Sequence, residues 1–385
     1  MSDAPVKPKF NVKNPLLAKL DRAQLITEGC IEKDTWHFEI DLGGSGLEFT
    51  PGDSLAVLAQ NDPALVDDVL SALGFSGDET VPNPKKESVP IRKALAESYV
   101  ITETNKKLLA AVAEKAGEGA AEWASLLEPD KKKELADYLW GRGIIDFLIA
   151  HPEAVFTPEE FAGLLRKLNV RLYSIASSLS ALPDQVHLTV AVVRYESFGR
   201  KREGVCSSWL AERIKPGHEI PCFITPGKSF RLPEPDEEIP VIMCGPGTGI
   251  APFRAFLQER KASGAKGEAW LFFGEIHEDT CFLYKRDWEG YLADGTLDKV
   301  TTAWSRDQGE KVYVQHKIVE EGAQFWDWLE RGAIFYVCGD AERMAPDVDK
   351  ALHQVIREHG GKSEAEAAAY VEQMRVDKRY RRDVY

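Results

Sequence analysis

The sequence has no excess of basic residues and no long apolar run. Its 48 Lys and Arg residues are outnumbered by 62 Asp and Glu residues, which gives a formal net charge of −14. This balance disfavours a general nucleic-acid binder, which needs basic surface to displace counterions from phosphates. No apolar run approaches the roughly 18 residues of a membrane-spanning helix, and the start MSDAPVKPKFNVKN lacks the apolar core of a signal peptide. We therefore expect a cytoplasmic protein without a membrane partner.

Cysteine is scarce, and the cysteines that are present lie far apart in sequence. The six are Cys30, Cys206, Cys222, Cys244, Cys281 and Cys338. They form no CxxC pair, and no histidine cluster has the spacing of zinc ligands. We therefore expect free thiols, no structural metal and no iron–sulfur cluster.

In the first 235 residues the spacing of apolar residues changes twice, from a strand pattern to a helix pattern and back. Between residues 20 and 60, short alternating runs are broken by turn residues, as is typical of antiparallel strands. From Pro63 to about Leu168 the apolar residues recur three and four apart, which indicates helices. Strand texture then returns in NVRLYSIASS and QVHLTVAVVRY. The pattern predicts a discontinuous barrel-like unit, residues 14–62 and 166–235, that contains a helical insert, residues 63–165.

The remaining sequence follows a segment rich in proline and acidic residues, FRLPEPDEEIP. Beyond it, strand-like and helix-like runs alternate from PVIMC onward, which predicts a parallel, doubly wound sheet over residues 237–385. The expected fold is therefore a multidomain α+β chain, in which an antiparallel β-barrel with a helical insert precedes an α/β domain with a parallel sheet.

Three closely spaced glycines, Gly245, Gly247 and Gly249, join the first strand of that α/β domain to its first helix. Such a turn lets backbone N–H groups approach a pyrophosphate at the positive end of the helix. The GxGxG spacing departs from the dinucleotide fingerprint GxGxxG and is not a P-loop. A purely structural turn remains the alternative.

A second polar segment, WSRDQGEKVYVQ, ends another strand of the same domain. It brings Ser305, Arg306, Lys311 and Tyr313 to the carboxyl edge of the sheet, where ligands bind in open α/β folds. Two cations, a hydroxyl and a phenol can together hold a 2′-phosphate. The alternative is a solvated loop with an ordinary run of charges.

Six ordered motifs resemble the reductase half of the diflavin reductase family, and within it the flavoprotein subunits of assimilatory NADPH–sulfite reductases. They are RLYSIASS (171–178), GVCSSWL (204–210), CGPGTGIAPFRAFLQ (244–258), SRDQGEKVYVQ (305–315), YVCGDAERM (336–344) and RRDVY (381–385). The resemblance implies the ferredoxin–NADP reductase fold: an FAD-binding barrel with a helical connecting insert, followed by an NADP-binding α/β domain. The family's amino-terminal flavodoxin-like FMN domain has no counterpart in the sequence, so we expect FAD without FMN.

The resemblance also implies two sets of cofactor-binding residues. Those for FAD are Thr102, Arg171, Leu172, Tyr173, Ser174, Thr189, Val190, Ala191, Tyr195, Gly204, Val205, Cys206, Ser207 and Tyr385. Those for NADPH are Gly245, Gly247, Thr248, Gly249, Ser305, Arg306, Lys311, Val312, Tyr313, Val314, Gln315 and Asp347. In GVCSSWL, the backbone amides at the start of a helix would face the FAD pyrophosphate. Thr189, Val190, Ala191 and Tyr195 are expected together on the preceding strand.

Three residues are implied to act in hydride transfer between nicotinamide and flavin: Ser174, Cys338 and Asp383. In this family Asp383 would favour the positive charge that develops on the nicotinamide. Tyr385 would stack over the flavin ring and move when the nicotinamide docks, although a terminal aromatic is also consistent with a disordered tail. No residue is assigned to a metal.

The resemblance leaves the electron acceptor open. One interpretation is an NADPH-dependent FAD reductase that supplies a sulfite reductase hemoprotein carrying siroheme and an iron–sulfur cluster. The alternative is an NADPH–flavodoxin or ferredoxin reductase that serves a general carrier. A redox-silent NADP-binding sensor is the third possibility, and the presence of Ser174, Cys338 and Asp383 disfavours it.

Overall fold

The computed structural model describes residues 9–385. The first eight residues of MSDAPVKPKFNVKN, the segment in which no signal peptide is predicted, therefore lie outside the described part. The strands are β1 (Leu16–Leu25), β2 (Thr35–Asp41), β3 (Ser54–Val57), β4 (Thr80–Pro82), β5 (Ser88–Pro90), β6 (Arg171–Ser174), β7 (Gln185–Ala191), β8 (Arg194–Ser197), β9 (Arg200–Glu203), β10 (Glu219–Thr225), β11 (Val241–Cys244), β12 (Ala269–Glu275), β13 (Lys299–Trp304), β14 (Ile334–Gly339) and β15 (Tyr380–Val384). The α-helices are α1 (Pro63–Leu73), α2 (Ile91–Glu97), α3 (Lys106–Ala116), α4 (Ala121–Ala124), α5 (Lys132–Leu139), α6 (Ile144–Ala150), α7 (Pro158–Leu164), α8 (Val205–Ser208), α9 (Ala251–Ser263), α10 (Glu278–Cys281), α11 (Lys285–Asp294), α12 (Val314–Glu320), α13 (Gly322–Glu330), α14 (Met344–Glu358) and α15 (Glu364–Val376).

These elements form two compact units. The first unit comprises the described part of residues 1–56 together with residues 172–191 and 215–385, and it carries both large sheets. The second unit comprises residues 57–171 and 192–214, with helices α1–α8 and two small hairpins. An antiparallel sheet followed by a parallel sheet confirms the expected order of sheet types. The division into three domains at residues 62, 165 and 236 stays a prediction.

The antiparallel sheet has the order β6-β3-β10-β1-β2-β7. Strand β1 alternates between exposed and buried positions over residues 17–21, as a half-buried sheet requires, and Phe38 and Ile40 of β2 are fully buried. Just beyond β6, the Ile175 N–H donates to the Asp53 carbonyl (3.0 Å), and the Ala176 N–H donates to the His187 carbonyl of β7 (2.8 Å). The chain that leaves one edge of the sheet is therefore bonded to the opposite edge strand.

The parallel sheet has the order β13-β12-β11-β14-β15, with the first strand in the middle. Strand β11 is buried on both faces: Val241 and Met243 pack towards α9, whereas Ile242 and Cys244 lie in the core of the opposite face. The strand order reverses between β11 and β14. In open α/β sheets, ligands bind outside the carboxyl ends of the strands at this switch point.

The second unit is a helical bundle with its own apolar core. Helix α1 begins at a side-chain cap, where Asp62 accepts a hydrogen bond from the Ala64 N–H (3.2 Å). Leu108, Trp123 and Phe161, from three different helices, are buried together in its core. The short β4–β5 hairpin inside this helical region was not predicted. No helix within residues 9–385 has the length and apolar character needed to cross a membrane.

Candidate functional site

Three strand ends bring Ser174, Cys338 and Asp383 together. Cys338 and Asp383 are register partners on β14 and β15. The Ser174 hydroxyl at the end of β6 donates to Asp383 Oδ2 (2.7 Å), and Cys338 Sγ lies 3.9 Å from the same oxygen. Burial, with a contribution from the Asp383 carboxylate, raises the pKa of the Cys338 thiol well above its usual value. Cys338 is therefore a neutral thiol beside a carboxylate.

The glycine loop lies at the switch point, immediately beyond β11. The Gly245 N–H donates to the Phe272 carbonyl (3.0 Å), and the loop then continues through a 3-10 turn, Gly247–Ile250, into α9. A Cβ atom added to Gly249 would lie 2.1 Å from the Cys338 carbonyl oxygen, and one added to Gly245 would lie 2.5 Å from the Gly249 carbonyl oxygen. The loop can therefore approach the end of β14 only because Gly245 and Gly249 have no side chain.

We predict that Gly249→Ala destabilises the protein by about 1–3 kcal/mol, because the added methyl group must displace the Cys338 backbone. Gly290→Ala is a matched control, since Gly290 lies within α11 and an added Cβ meets nothing within 4 Å. The control should be neutral or stabilising by up to about 1 kcal/mol. Chemical unfolding of both variants measures the difference, and equal free energies of unfolding would contradict the close approach.

The carboxyl-terminal residue is fixed to the same edge by its backbone. The Tyr385 N–H donates to the Gly339 carbonyl (3.1 Å), and its carbonyl accepts from the Ala341 N–H (3.1 Å). Its hydroxyl lies 3.2 Å from the Thr248 hydroxyl in the glycine loop, yet the residue is 64% exposed. Tyr385 is an exposed aromatic residue over the glycine loop, with a paired backbone.

The segment after β13 carries the second predicted group of nucleotide residues. The Ser305 N–H donates to the Glu275 carbonyl (2.9 Å) and the Arg306 N–H donates to the Ile276 carbonyl (3.0 Å). These bonds fix both residues at the carboxyl edge of β12 and β13. The Arg306 side chain is 51% exposed, and its Nη1 lies 3.4 Å from Glu32 Oε1.

The other predicted nucleotide residues differ in exposure. Lys311 and Tyr313 are exposed, Val312 and Gln315 are half-buried, and Val314 is buried at the start of α12. Val314 therefore belongs to the core. Asp347 lies in the first turn of α14, where its carboxylate pairs with Lys350 (2.9 Å).

The predicted flavin residues of the first unit lie on β6 and β7. Leu172 is exposed, Tyr173 is half-buried and Val190 is buried. Ala191 ends β7 and is half-buried. The Thr189 hydroxyl lies 2.6 Å from the Tyr284 hydroxyl.

The remaining predicted flavin residues belong to the second unit: Thr102, Arg171, Tyr195, Gly204, Val205, Cys206 and Ser207. The expectation for Tyr195 was wrong, because this residue lies on β8, which pairs with β9, and not on β7. Gly204 is the N-cap of α8, as the sequence predicts, but its own N–H already donates to the Val193 carbonyl (2.9 Å). Arg171 is exposed, and Cys206 is buried.

Two family profiles match the chain. The FAD binding domain profile matches residues 8–209, just over half of the chain, and the oxidoreductase NAD-binding domain profile matches residues 243–350. The chain belongs to the FAD-binding domain family. The sequence resemblance to FAD- and NADP-binding reductases is therefore confirmed.

Named relatives of this FAD-binding family member cover nearly all of the chain. It is 45% identical over 378 residues to the sulfite reductase [NADPH] flavoprotein alpha-component of Bacillus subtilis, with 98% of this chain and 62% of the relative covered. The proteins of the same name from Zymomonas mobilis and Aliivibrio fischeri are 45% and 46% identical, with 98% of this chain and 61% of each relative covered. The chain spans about three fifths of the length of these relatives.

The residues present fit an FAD- and nucleotide-binding member of this family. In the second unit, a Cβ atom on Gly204 would lie 2.6 Å from the Ser207 Oγ, and the neighbouring Ser208 hydroxyl is buried without a described partner. The Ser208 N–H donates to the Gly204 carbonyl (3.0 Å), so both residues lie in one helical turn, and a buried hydroxyl without a described partner in that turn suits a phosphate oxygen. In the first unit, the bare backbone of Gly245 and Gly249 suits a pyrophosphate at the switch point.

One side-chain cluster of this FAD-binding protein was not predicted from the sequence. His37, Glu39 and His187 bring their polar atoms within 4.8 Å of one another. Arg254 Nη1 lies 3.2 Å from His187 Nδ1, and burial lowers the pKa of His187 to about 3. His37 Nδ1 is paired with the Tyr284 hydroxyl (2.9 Å). The neutral rings are thus engaged in a side-chain network, and the guanidinium opposes a cation there.

Proposed function

We propose that this chain is an NADPH-dependent FAD reductase that passes electrons from NADPH to a sulfite reductase hemoprotein. The observation that supports it most is the cluster of Ser174, Cys338 and Asp383. A hydroxyl, a neutral thiol and a carboxylate converge there from the antiparallel and parallel sheets. Binding of a nucleotide at the glycine loop does not require these three side chains to converge. Hydride transfer requires it, because the nicotinamide must be held in one geometry beside a charge-stabilising group.

The antiparallel sheet is, in this proposal, the FAD-binding barrel of the family. Support comes from the hydrogen bond between the Ala176 N–H and the His187 carbonyl, which links the two edge strands. Residues 14–62 and 166–235 form this domain, residues 63–165 form its helical insert, and residues 237–385 form the NADP-binding domain. FAD, when bound, supplies the chemistry that accepts a hydride and releases electrons singly.

Each cluster residue has a proposed role towards the substrate nicotinamide. The Asp383 carboxylate stabilises the positive charge that develops on the ring. The Ser174 hydroxyl, which donates to Asp383, holds that carboxylate in place. The Cys338 thiol packs against the nicotinamide ring as a neutral group, since burial keeps this thiol protonated. Tyr385 covers the site and must move when the nicotinamide docks.

The remaining proposed binding residues follow the family. Gly245, Gly247, Thr248 and Gly249 hold the nucleotide pyrophosphate, and the segment from Ser305 to Gln315, apart from the buried Val314, holds the ribose end. In each unit the flavin residues are assigned separately: Leu172, Tyr173 and Thr189–Ala191 in the first, and Thr102, Arg171, Tyr195 and Gly204–Ser207 in the second. Gly204 to Ser207 face the FAD pyrophosphate in this proposal, although the Gly204 N–H itself donates to the Val193 carbonyl.

The proposed function is tested with the full chain loaded with FAD. We expect NADPH to drive rapid ferricyanide reduction, and sulfite to be left unreduced by this chain alone. Sulfide should form only when a siroheme hemoprotein is added, and the hemoprotein with NADPH but without this chain is the control. Failure to reduce ferricyanide would contradict the reductase activity. A strict need for added flavodoxin or ferredoxin would favour the carrier-reductase alternative.

A further inference from the structure

Cys30 and Cys281 lie on two segments that meet in the fold although they are distant in sequence. Cys30 belongs to the loop between β1 and β2, residues 26–34, and Cys281 is the last residue of α10. Burial, together with the Cys30 side chain, raises the pKa of the Cys281 thiol. The neighbouring residues also meet, because a Cβ atom on Gly29 would lie 3.3 Å from the Thr280 methyl group. The two segments are therefore in contact one residue before each cysteine.

Charged contacts hold the same loop on the carboxyl edge of the parallel sheet. Glu32 Oε1 lies 3.4 Å from His277 Nε2 and 3.4 Å from Arg306 Nη1. Lys33 pairs with the carboxylate of Glu275, whose side chain is almost fully buried. These ion pairs hold the loop that carries Cys30 against the segment that leads into α10 and Cys281.

The two thiols differ in access to solvent. Cys30 is half-buried, whereas Cys281 and the four other cysteines are buried. Burial raises the pKa of Cys281 to about 11, so this thiol is almost entirely protonated at neutral pH. An oxidant from solution therefore reaches Cys30 first, and Cys281 is the resolving partner.

We propose that Cys30 and Cys281 form a reversible intramolecular disulfide that fixes the β1–β2 loop on the edge of the parallel sheet. With hydrogen peroxide as oxidant, the Cys30 sulfur attacks one peroxide oxygen, the O–O bond breaks, and Cys30 sulfenic acid and water form. The Cys281 sulfur then attacks the Cys30 sulfur and the S–O bond of the sulfenic acid breaks. The hydroxide that leaves takes up the proton of the Cys281 thiol and becomes water. Two thiols lose two electrons and two protons, and one peroxide becomes two waters. A dithiol reverses the bond by exchange.

The disulfide has a consequence for nucleotide binding, and this step rests on the proposed function. With the loop fixed, the Glu32 carboxylate stays beside Arg306, the residue proposed to bind the 2′-phosphate. An exposed ion pair of this kind competes only modestly. We expect roughly two- to fivefold weaker NADPH binding by the oxidised protein, with NADH binding unchanged.

The disulfide is tested on the full chain by peroxide treatment, thiol alkylation and tryptic digestion without reduction. Cleavage at Arg22, Lys33, Lys266 and Lys285 releases residues 23–33 and 267–285, each of which contains a single cysteine. We expect these two peptides to be joined, to be separated by dithiothreitol, and to join faster as the pH rises towards the pKa of Cys281. Cys30→Ser should abolish the joined species. Cys222→Ser, a buried cysteine on β10, is the matched control and should leave it intact.

Two outcomes would overturn the disulfide. One is oxidation of Cys30 to the sulfinic or sulfonic acid while residues 267–285 stay unlinked. The other is a crosslink between Cys30 residues of two copies of the chain. The peptide readout is independent of nucleotide binding, so joined peptides with unchanged NADPH affinity would support the disulfide and contradict only its expected effect on nucleotide binding.

Discussion

Asp383→Asn is expected to slow flavin reduction at saturating NADPH roughly ten- to a hundredfold, the range for losing one charge-assisted interaction. The variant keeps the size of the side chain but removes its negative charge. The Ser174 hydroxyl and the Cys338 thiol both approach Asp383 Oδ2, so an amide at this position also changes the group that they contact. Rapid-mixing absorbance of the flavin measures the rate, and the extracted flavin measures FAD content.

Asp377→Asn is the matched control for this experiment. Asp377 is an exposed residue at the end of α15, close to Asp383 in sequence, and it accepts a hydrogen bond from the Gln373 side chain. In Asp377→Asn, NADPH should reduce the flavin at the same rate as in the unaltered protein. FAD should stay bound in both variants, because Asp383 is assigned to the nicotinamide. An unchanged rate in Asp383→Asn would remove this carboxylate from hydride transfer.

The parallel sheet could be predicted because its strands carry their burial in the local sequence. VIMC of β11 and AWLFFGE of β12 are continuous buried runs, as strands covered on both faces require. The carboxyl ends of such strands share one edge, so the glycine loop and Arg306 could be assigned to that edge. Helix α15 was overlooked, although Ser363 accepts from the Glu366 N–H in a capping box that the sequence displays.

Other parts of the site depend on contacts that no local pattern encodes. Tyr195 was expected on the same strand as Thr189, but the chain turns after Ala191 and starts a separate hairpin. The contact of Gly29 with Thr280, beside the two cysteines, and that of Glu32 with Arg306 arise only when the β1–β2 loop meets the edge of the parallel sheet. The Ser174–Asp383 bond has the same origin, and it was inferred only from the family resemblance.

Arg306→Ala is expected to weaken NADPH binding roughly ten- to a hundredfold and to leave NADH binding nearly unchanged. The Arg306 backbone is fixed at the edge of β13 because its N–H donates to the Ile276 carbonyl, and the side chain is half exposed. A fork of N–H donors suits the 2′-phosphate, which NADH lacks. Without Arg306, the Glu32 carboxylate would face that phosphate without its guanidinium partner, which adds repulsion to the lost hydrogen bonds.

Two further variants separate the specific role of Arg306 from a general effect of charge. Arg306→Lys keeps the charge but loses the planar fork, so its loss of NADPH affinity should be smaller than that of Arg306→Ala. Arg331→Ala removes an exposed guanidinium that pairs with Glu268 and Asp327, beside the opposite end of the strands, and it should affect neither nucleotide. Steady-state kinetics with NADPH and NADH compare all three. An equal loss for both nucleotides in Arg306→Ala would mean that Arg306 supports the site as a whole and does not select the 2′-phosphate.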